Sequence, residues 1–297
     1  MRRLELHFSG PPCITLDGVP VEISRRKAVA LLACLAVTRQ PHSRDTLAAL
    51  FWPDVEQSRA YAYLRTTLWT LNKALGDEWI DAERDTVALR PGGGWQVDVT
   101  QFLALADGAP SGDPERDAAR LAEAAALCQD DFLVGFTLPD SPAFDEWQFF
   151  EQDRLRRALG RVLDELIECY VALGRFEMAI PYAQRRLLLD TLHEPAHRQL
   201  IRLFARAGQW SAALRQVQQC ITTLDTELGA EPEPETVALI EAIQARSVPM
   251  RPPRRGPKGQ NHHARLTLPR SRREISLRRA RRSSRASVNW TRSPVYS

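Results

Sequence analysis

Arg59-Ala60-Tyr61-Ala62-Tyr63-Leu64-Arg65-Thr66-Thr67-Leu68-Trp69-Thr70-Leu71-Asn72-Lys73-Ala74-Leu75 is the stretch that decides the fold. Leu64, Leu68, Leu71 and Leu75 recur at spacings of four, three and four, which at about 100° per residue return to one side of a helix. The opposite side carries Arg59, Thr66, Thr70 and Lys73, with Tyr63 and Trp69 on its flanks and Arg65 near the boundary. Such a face suits a DNA major groove. Arg and Lys neutralise phosphates or reach guanine edges, Thr donates, accepts or touches a thymine methyl, and no carboxylate interrupts the face. An ordinary solvated surface has the same composition, so the flanking segments have to decide.

Those segments read as a winged helix-turn-helix. Ser43-Arg44-Asp45-Thr46 opens a short helix with Ser43 as its N-cap, Leu47, Leu50 and Phe51 form its buried side, and Pro53 ends it. After the long helix, Gly76 marks a stop. Trp79-Ile80, Thr86-Val87-Ala88-Leu89 and Trp95-Gln96-Val97 then alternate, with Pro91-Gly92-Gly93-Gly94 before the last. The pattern predicts a β-wing folded about the glycines, with Arg84 and Arg90 at its margins, placed for phosphate or an adjacent minor groove. A phosphate-cradling role for the glycines is disfavoured, because no Gly-Lys-Ser/Thr follows and the next element is a strand.

Upstream, Leu4–Phe8, Ile14–Leu16 and Val21–Ile23 alternate as short strands, with Asp17-Gly18 as a hairpin signal. Ser24 is expected to cap a helix that runs through the apolar residues Ala28–Val37. Ten apolar residues cannot span a bilayer, which needs about 20, so this is a buried first helix and no membrane role is expected.

A repeat organises the next segment. Leu173-Gly174-Arg175-Phe176-Glu177-Met178-Ala179-Ile180 returns as Ala207-Gly208-Gln209-Trp210-Ser211-Ala212-Ala213-Leu214, displaced by 34 residues. This is the tetratricopeptide period: Gly turns the chain between paired helices, the aromatic plugs their junction and the small Ala lets the backbones approach. Tyr170 and Phe204, and Leu187 and Ile221, extend the match, and further amphipathic stretches lie near 116–131, 145–173 and 235–245. Arrays of this kind bind partners or pack protomers more often than they perform chemistry. The fold class is therefore mainly α: a winged helix-turn-helix with short strands over 1–98, an all-α repeat domain over 99–247, and an Arg/Pro-rich, disordered tail over 248–297.

At the residue level the chain resembles the SARP-type bacterial transcriptional activators. Leu50-Phe51-Trp52-Pro53-Asp54 and the run from Leu64-Arg65 to Leu75-Gly76 are similar to that family's winged helix. Asp130-Asp131-Phe132-Leu133, Glu151-Gln152-Asp153-Arg154-Leu155, Ala207-Gly208 and Thr226-Glu227-Leu228-Gly229-Ala230-Glu231-Pro232 are similar to its bacterial transcriptional activator domain. The resemblance spans about residues 1–246. It implies that Arg59, Arg65, Thr66, Thr70 and Lys73 read double-stranded promoter DNA as direct repeats, and that the repeats support self-association as a homodimer or contact with RNA polymerase. Relative to the family's more basic members, this chain has few cations on the helix and places Tyr63 and Trp69 there.

Charge is distributed unevenly. The whole chain carries +3, but residues 248–297 hold thirteen Arg, one Lys and one Glu, a +13 that leaves −10 on residues 1–247. Residues 1–98 balance at twelve basic and twelve acidic side chains, so the repeat segment holds the acidity. Any phosphate-binding surface must then be local, with the repeats facing away from DNA. Two readings of the tail stay open: added sequence-independent nucleic-acid affinity through its Arg clusters, or a divergent or frameshifted end.

Chemistry is less well represented. Cys13, Cys34, Cys128, Cys169 and Cys220 are scattered, form no Cys-x-x-Cys, and read as buried reduced thiols in a cytoplasmic protein. His193-Glu194-Pro195-Ala196-His197 has the spacing of a zinc-hydrolase helix. Pro195, however, suits the first turn of a new helix and leaves His193 outside it, and no third ligand follows. Asp130-Asp131 and Asp164-Glu165 are expected to be solvated. Neither an enzyme nor a cofactor or metal is expected; a repeat-based adaptor that no longer reads DNA is the main alternative.

Overall fold

The computed structural model describes residues 2–246, all within one unit that spans Met1–Pro252; the expected tail over 248–297 lies outside the described residues. Strands β1 (Leu4–His7) and β2 (Cys13–Leu16) pair antiparallel, and Asp17-Gly18 turns the chain into β3 (Val19–Pro20). Both turn residues take positive φ, 52° and 78°, as a two-residue hairpin of right-handed twist requires. Alternation buries Leu4, Leu6, Ile14 and Leu16. The strand expected at Val21–Ile23 does not form: β3 ends at Pro20, past which Val21 N still donates to Ile14 O at 2.9 Å.

Helix α1 (Arg26–Thr38) buries Ala28 and the run Ala30–Val37 at the centre of this part. Ser24 does not cap it. Arg25 holds the extended N-cap position and its carbonyl accepts from Ala28 N at 3.0 Å, so the expected start is one residue early. Strand β4 (His42–Ser43), α2 (Arg44–Phe51) and α3 (Gln57–Leu75) follow, then β5 (Ile80–Ala82), β6 (Thr86–Leu89) and β7 (Trp95–Val97).

The wing is not where the glycines suggested. β6 and β7 belong to different sheets, ordered β4-β6-β5 and β3-β2-β1-β7. The wing hairpin is β5–β6, tipped by Glu83-Arg84-Asp85, with Ile80 opposite Leu89 and Ala82 opposite Val87. The Gly92–Gly94 turn instead carries the chain across to β7, which pairs parallel with β1, Leu4 opposite Trp95 and Leu6 opposite Val97. Local alternation looks the same in both arrangements; the choice is made by β1, some 90 residues upstream.

Helix α4 (Asp98–Ala106) leaves β7 without a break, and α5 (Pro114–Leu127), α6 (Pro142–Ala172), α7 (Phe176–Leu189), α8 (Glu194–Arg206), α9 (Trp210–Leu228) and α10 (Pro234–Gln244) complete the described chain. The 34-residue repeat maps onto the pairs α6–α7 and α8–α9. Gly174 and Gly208 turn each pair with φ of 70° and 74°. The following amides close the same bond in both, Arg175 N to Tyr170 O and Gln209 N to Phe204 O, at 2.9 and 2.8 Å. Ala179 and Ala213 are fully buried, as close approach of paired helices demands.

An aromatic seam joins the strand-rich part to the helices. Ring centroids run from Phe8 to Phe132 at 6.3 Å, Phe132 to Trp147 at 5.8 Å, Trp147 to Phe144 at 5.4 Å, Phe144 to Phe51 at 5.5 Å, Phe51 to Trp52 at 5.9 Å and Trp52 to Tyr63 at 6.2 Å. Beside it the Asp98 carboxylate accepts from the amides of Phe8, Ser9 and Val99 at 2.6–3.0 Å. Burial nevertheless pushes its pKa up, outweighing these amides. Among the described residues, no helix is long and apolar enough to cross a membrane.

Candidate nucleic-acid interface

Helix α3 sets the interface because its two sides are so different. Leu64, Leu68, Leu71 and Leu75 are buried, joined by Ala60 and Thr67. At about 25 cal/mol per Å² of apolar area removed from water, that row fixes the rotation of the helix. Arg59, Tyr63, Arg65, Trp69 and Lys73 are exposed on the far side, and Thr66 and Thr70 are half-buried between them. Trp69 is 62% and Tyr63 42% exposed.

The groups on this face are ordered. Lys73 Nζ lies 5.1 Å from the centroid of the Trp69 ring, a cation–π contact that holds an ammonium at the outer edge. Tyr63 is braced against Trp52. Thr66 Oγ1 donates to Ala62 O at 3.0 Å and Thr70 Oγ1 to Thr66 O at 2.9 Å, so neither hydroxyl proton is directed outward. The N-terminus of α3 is capped by Glu56, which accepts from Arg59 N at 3.4 Å and from the Ser58 hydroxyl. Its pKa is lowered first by the Ser58 hydrogen bond, with Arg59 a lesser cause. The sequence reading missed this cap. It placed no carboxylate on the helix face, and Glu56 stands at its entrance.

Ser43 is the N-cap of α2, as expected, and accepts from Thr46 N at 3.0 Å. Beside it the Asp45 carboxylate accepts from Gln57 Nε2 at 2.7 Å and from the Tyr61 hydroxyl, which lowers the Asp45 pKa and ties α2 to the start of α3. Arg84 and Arg90 do not act together. Arg84 is exposed at the tip of the β5–β6 hairpin between Glu83 and Asp85. Arg90 lies past the other end of β6, where its amide donates to Trp79 O and its carbonyl accepts from Trp95 Nε1. Arg59, Tyr63, Arg65, Thr66, Thr70 and Lys73 thus share one face of α3, while Ser43 caps α2, Arg84 sits at the hairpin tip and Arg90 belongs to the hairpin base.

The His193–His197 segment is built for a different purpose. His193 is the N-cap of α8, its Nδ1 accepting from Ala196 N at 3.3 Å. Buried His197 has both ring nitrogens engaged, Nε2 with Thr191 O at 2.9 Å and Nδ1 with Gln216 Nε2 at 3.0 Å. Glu194 accepts from Glu233 N and from Thr236 Oγ1 at 2.6 Å, with Arg198 beside it. His193 caps α8, whereas His197 and Glu194 fasten α8 to α9 and α10, and the acceptor nitrogen of each imidazole is engaged within the fold. Among the thiols, Cys34, Cys128 and Cys220 are buried, Cys169 is half-buried, and Cys13 is exposed, against expectation. Burial first, and then the Glu151 charge, push the Cys34 thiol up to about 12, and burial pushes Cys220 to about 11, so both stay protonated.

Residues 97–244 match the bacterial transcriptional activator domain family, and with the winged helix that precedes them the chain is similar to the SARP-type bacterial transcriptional activators. Its relatives include the transcriptional regulatory protein EmbR of Mycobacterium tuberculosis, 28% identical over 254 residues that cover 82% of this chain and 63% of EmbR. The transcriptional regulatory protein MoaR1 of the same organism is 26% identical over 257 residues, 83% of this chain and 81% of MoaR1. The solved structure of M. tuberculosis EmbR in complex with a low-affinity phosphopeptide superposes with a TM-score of 0.63 over 84% of this chain and 66% of that one; at 23% identity the likeness is one of fold. The chain therefore spans somewhat under two thirds of EmbR.

Proposed function

We propose that this chain is a DNA-binding transcriptional activator in which α3 enters the major groove of promoter DNA and the β5–β6 wing reaches the adjacent backbone. One observation carries the reading: a helix anchored by four buried leucines turns three cations, two aromatics and two threonines to solvent. A docked recognition helix needs that arrangement. The reading divides the chain near residue 98 into a DNA module and a repeat module that pairs protomers or meets RNA polymerase, and it places the protein in the cytoplasm with the chromosome.

Titration of the full chain with duplex DNA at several salt concentrations tests it. Sequence-preferring binding that weakens with salt is expected. The pair Arg59→Ala and Lys73→Ala is expected to reduce affinity and to lower the slope of log K against log salt by up to about 1.8, about 0.9 per lost phosphate contact. Glu56, Asp45, Glu83 and Asp85 near the same surface favour the adaptor reading. That reading gains if the intact chain binds no duplex, or if deleting residues 248–297 abolishes all binding while the α3 substitutions change nothing.

A further inference from the structure

We propose that Thr66 and Thr70 determine specificity by reading thymine through its C5-methyl group, so that the preferred duplex carries thymines opposite the middle of α3. The inference rests on the DNA-binding reading above and names what that surface selects. A threonine can meet a base edge as a donor, as an acceptor or with its methyl. Here the donor is spent. Thr66 Oγ1 donates to Ala62 O and Thr70 Oγ1 to Thr66 O, at 3.0 and 2.9 Å, and an outward hydrogen bond from either proton would first have to break one of these. What each side chain retains for a ligand is its methyl group and an acceptor lone pair.

The surroundings favour the methyl. Ala62, one turn before Thr66, is half-buried and contributes only a methyl. Tyr63 and Trp69 flank the row with exposed rings, and the Lys73 ammonium is held over Trp69 rather than over the threonines. The arc of α3 around Thr66 and Thr70 contains no Asn, Gln, Asp or Glu, and the amide of Gln57 in the first turn is engaged with Asp45 at 2.7 Å, so the middle of the face lacks the amide that pairs with adenine N6 and N7 and the carboxylate that accepts from cytosine N4. Guanine contacts fall to Arg59 and Arg65, on either side. The centre of the face is left apolar, and in the major groove thymine alone among the four bases offers an apolar group.

The full chain is first used to select its preferred duplexes from a randomised library. Each thymine in the selected sites is then replaced by deoxyuridine, which removes the methyl and keeps every hydrogen-bonding group. Binding is expected to weaken about four-fold at each thymine in contact, the transfer value of one buried methyl. Thr66→Ser and Thr70→Ser keep the hydroxyl and remove the methyl; each is expected to abolish the thymine-over-uridine preference at one position while leaving the others intact. Selected duplexes that bind equally with uridine, or serine variants that keep the full preference, overturn the proposal while leaving DNA binding in place. Failure to select any sequence overturns both.

Discussion

Ser141 Oγ donates to the carbonyl of Phe51 at 2.7 Å, and by that bond the last turn of α2 is tied to the entrance of α6. The final carbonyls of a helix have no partner within it. This one has two, because Lys27 Nζ donates to the same oxygen at 2.6 Å while also pairing with Asp140 at 2.9 Å. Ser141→Ala is therefore expected to cost about 1 kcal/mol, since Lys27 remains as a donor, and Lys27→Met somewhat more. Urea denaturation of the full chain checks this; an unchanged midpoint for Ser141→Ala would mean the bond contributes nothing.

The hairpin predicts a contrast between two arginines that look equivalent in the sequence. Arg84→Ala is expected to lower the salt slope of duplex binding by about 0.9, the loss of one phosphate contact, whereas Arg90→Ala leaves slope and affinity unchanged. Glu83→Gln with Asp85→Asn should raise affinity by relieving repulsion of phosphate at the tip. Equal losses at Arg84 and Arg90 would place the glycine turn at the DNA after all.

His42 gives the chain an acid-sensitive point. It is half-buried at the start of β4, with Nε2 within 2.6 Å of the Thr38 hydroxyl, and burial lowers its pKa below the usual 6.5. For a base depressed in the folded state, the unfolded chain binds the proton more readily, so stability is full above about 6.5 and falls as pH drops through the folded value. Denaturation midpoints measured between pH 7.5 and 5 should decline in the parent chain and flatten in His42→Gln. An identical decline in both would assign the effect to other groups.

What the sequence made legible was periodic or local. The leucines of α3, the Ser43 cap and the Asp17-Gly18 hairpin each depend on neighbours within one or two turns, the 34-residue repeat declares itself by recurrence, and the structure has all of them where the pattern put them. The wing was misread because β7 is claimed by β1, and no local pattern carries that pairing. The aromatic seam was equally hidden: Phe51, Phe132 and Phe144 are ordinary core residues until the fold brings them together. At the interface itself, Glu56 escaped notice since a glutamate outside the apolar repeat carries no helix-start signal of the kind Ser43 does. The threonine hydroxyls pointed the same way as in any solvated helix, and only their bonds to Ala62 O and Thr66 O revealed what they leave free.

Strand β1 lies between β2 and β7, and the amide of Leu133 donates to Phe8 O at 2.8 Å. During synthesis, which proceeds from the N-terminus at about 5–20 residues per second, Leu4 and Leu6 emerge well before the strand they pair with in parallel. Their parallel neighbour Val97 does not exist until several seconds later, and Leu133 arrives later still. Strand β1 must wait with one edge unpaired, which makes it the place where premature association between growing chains would begin.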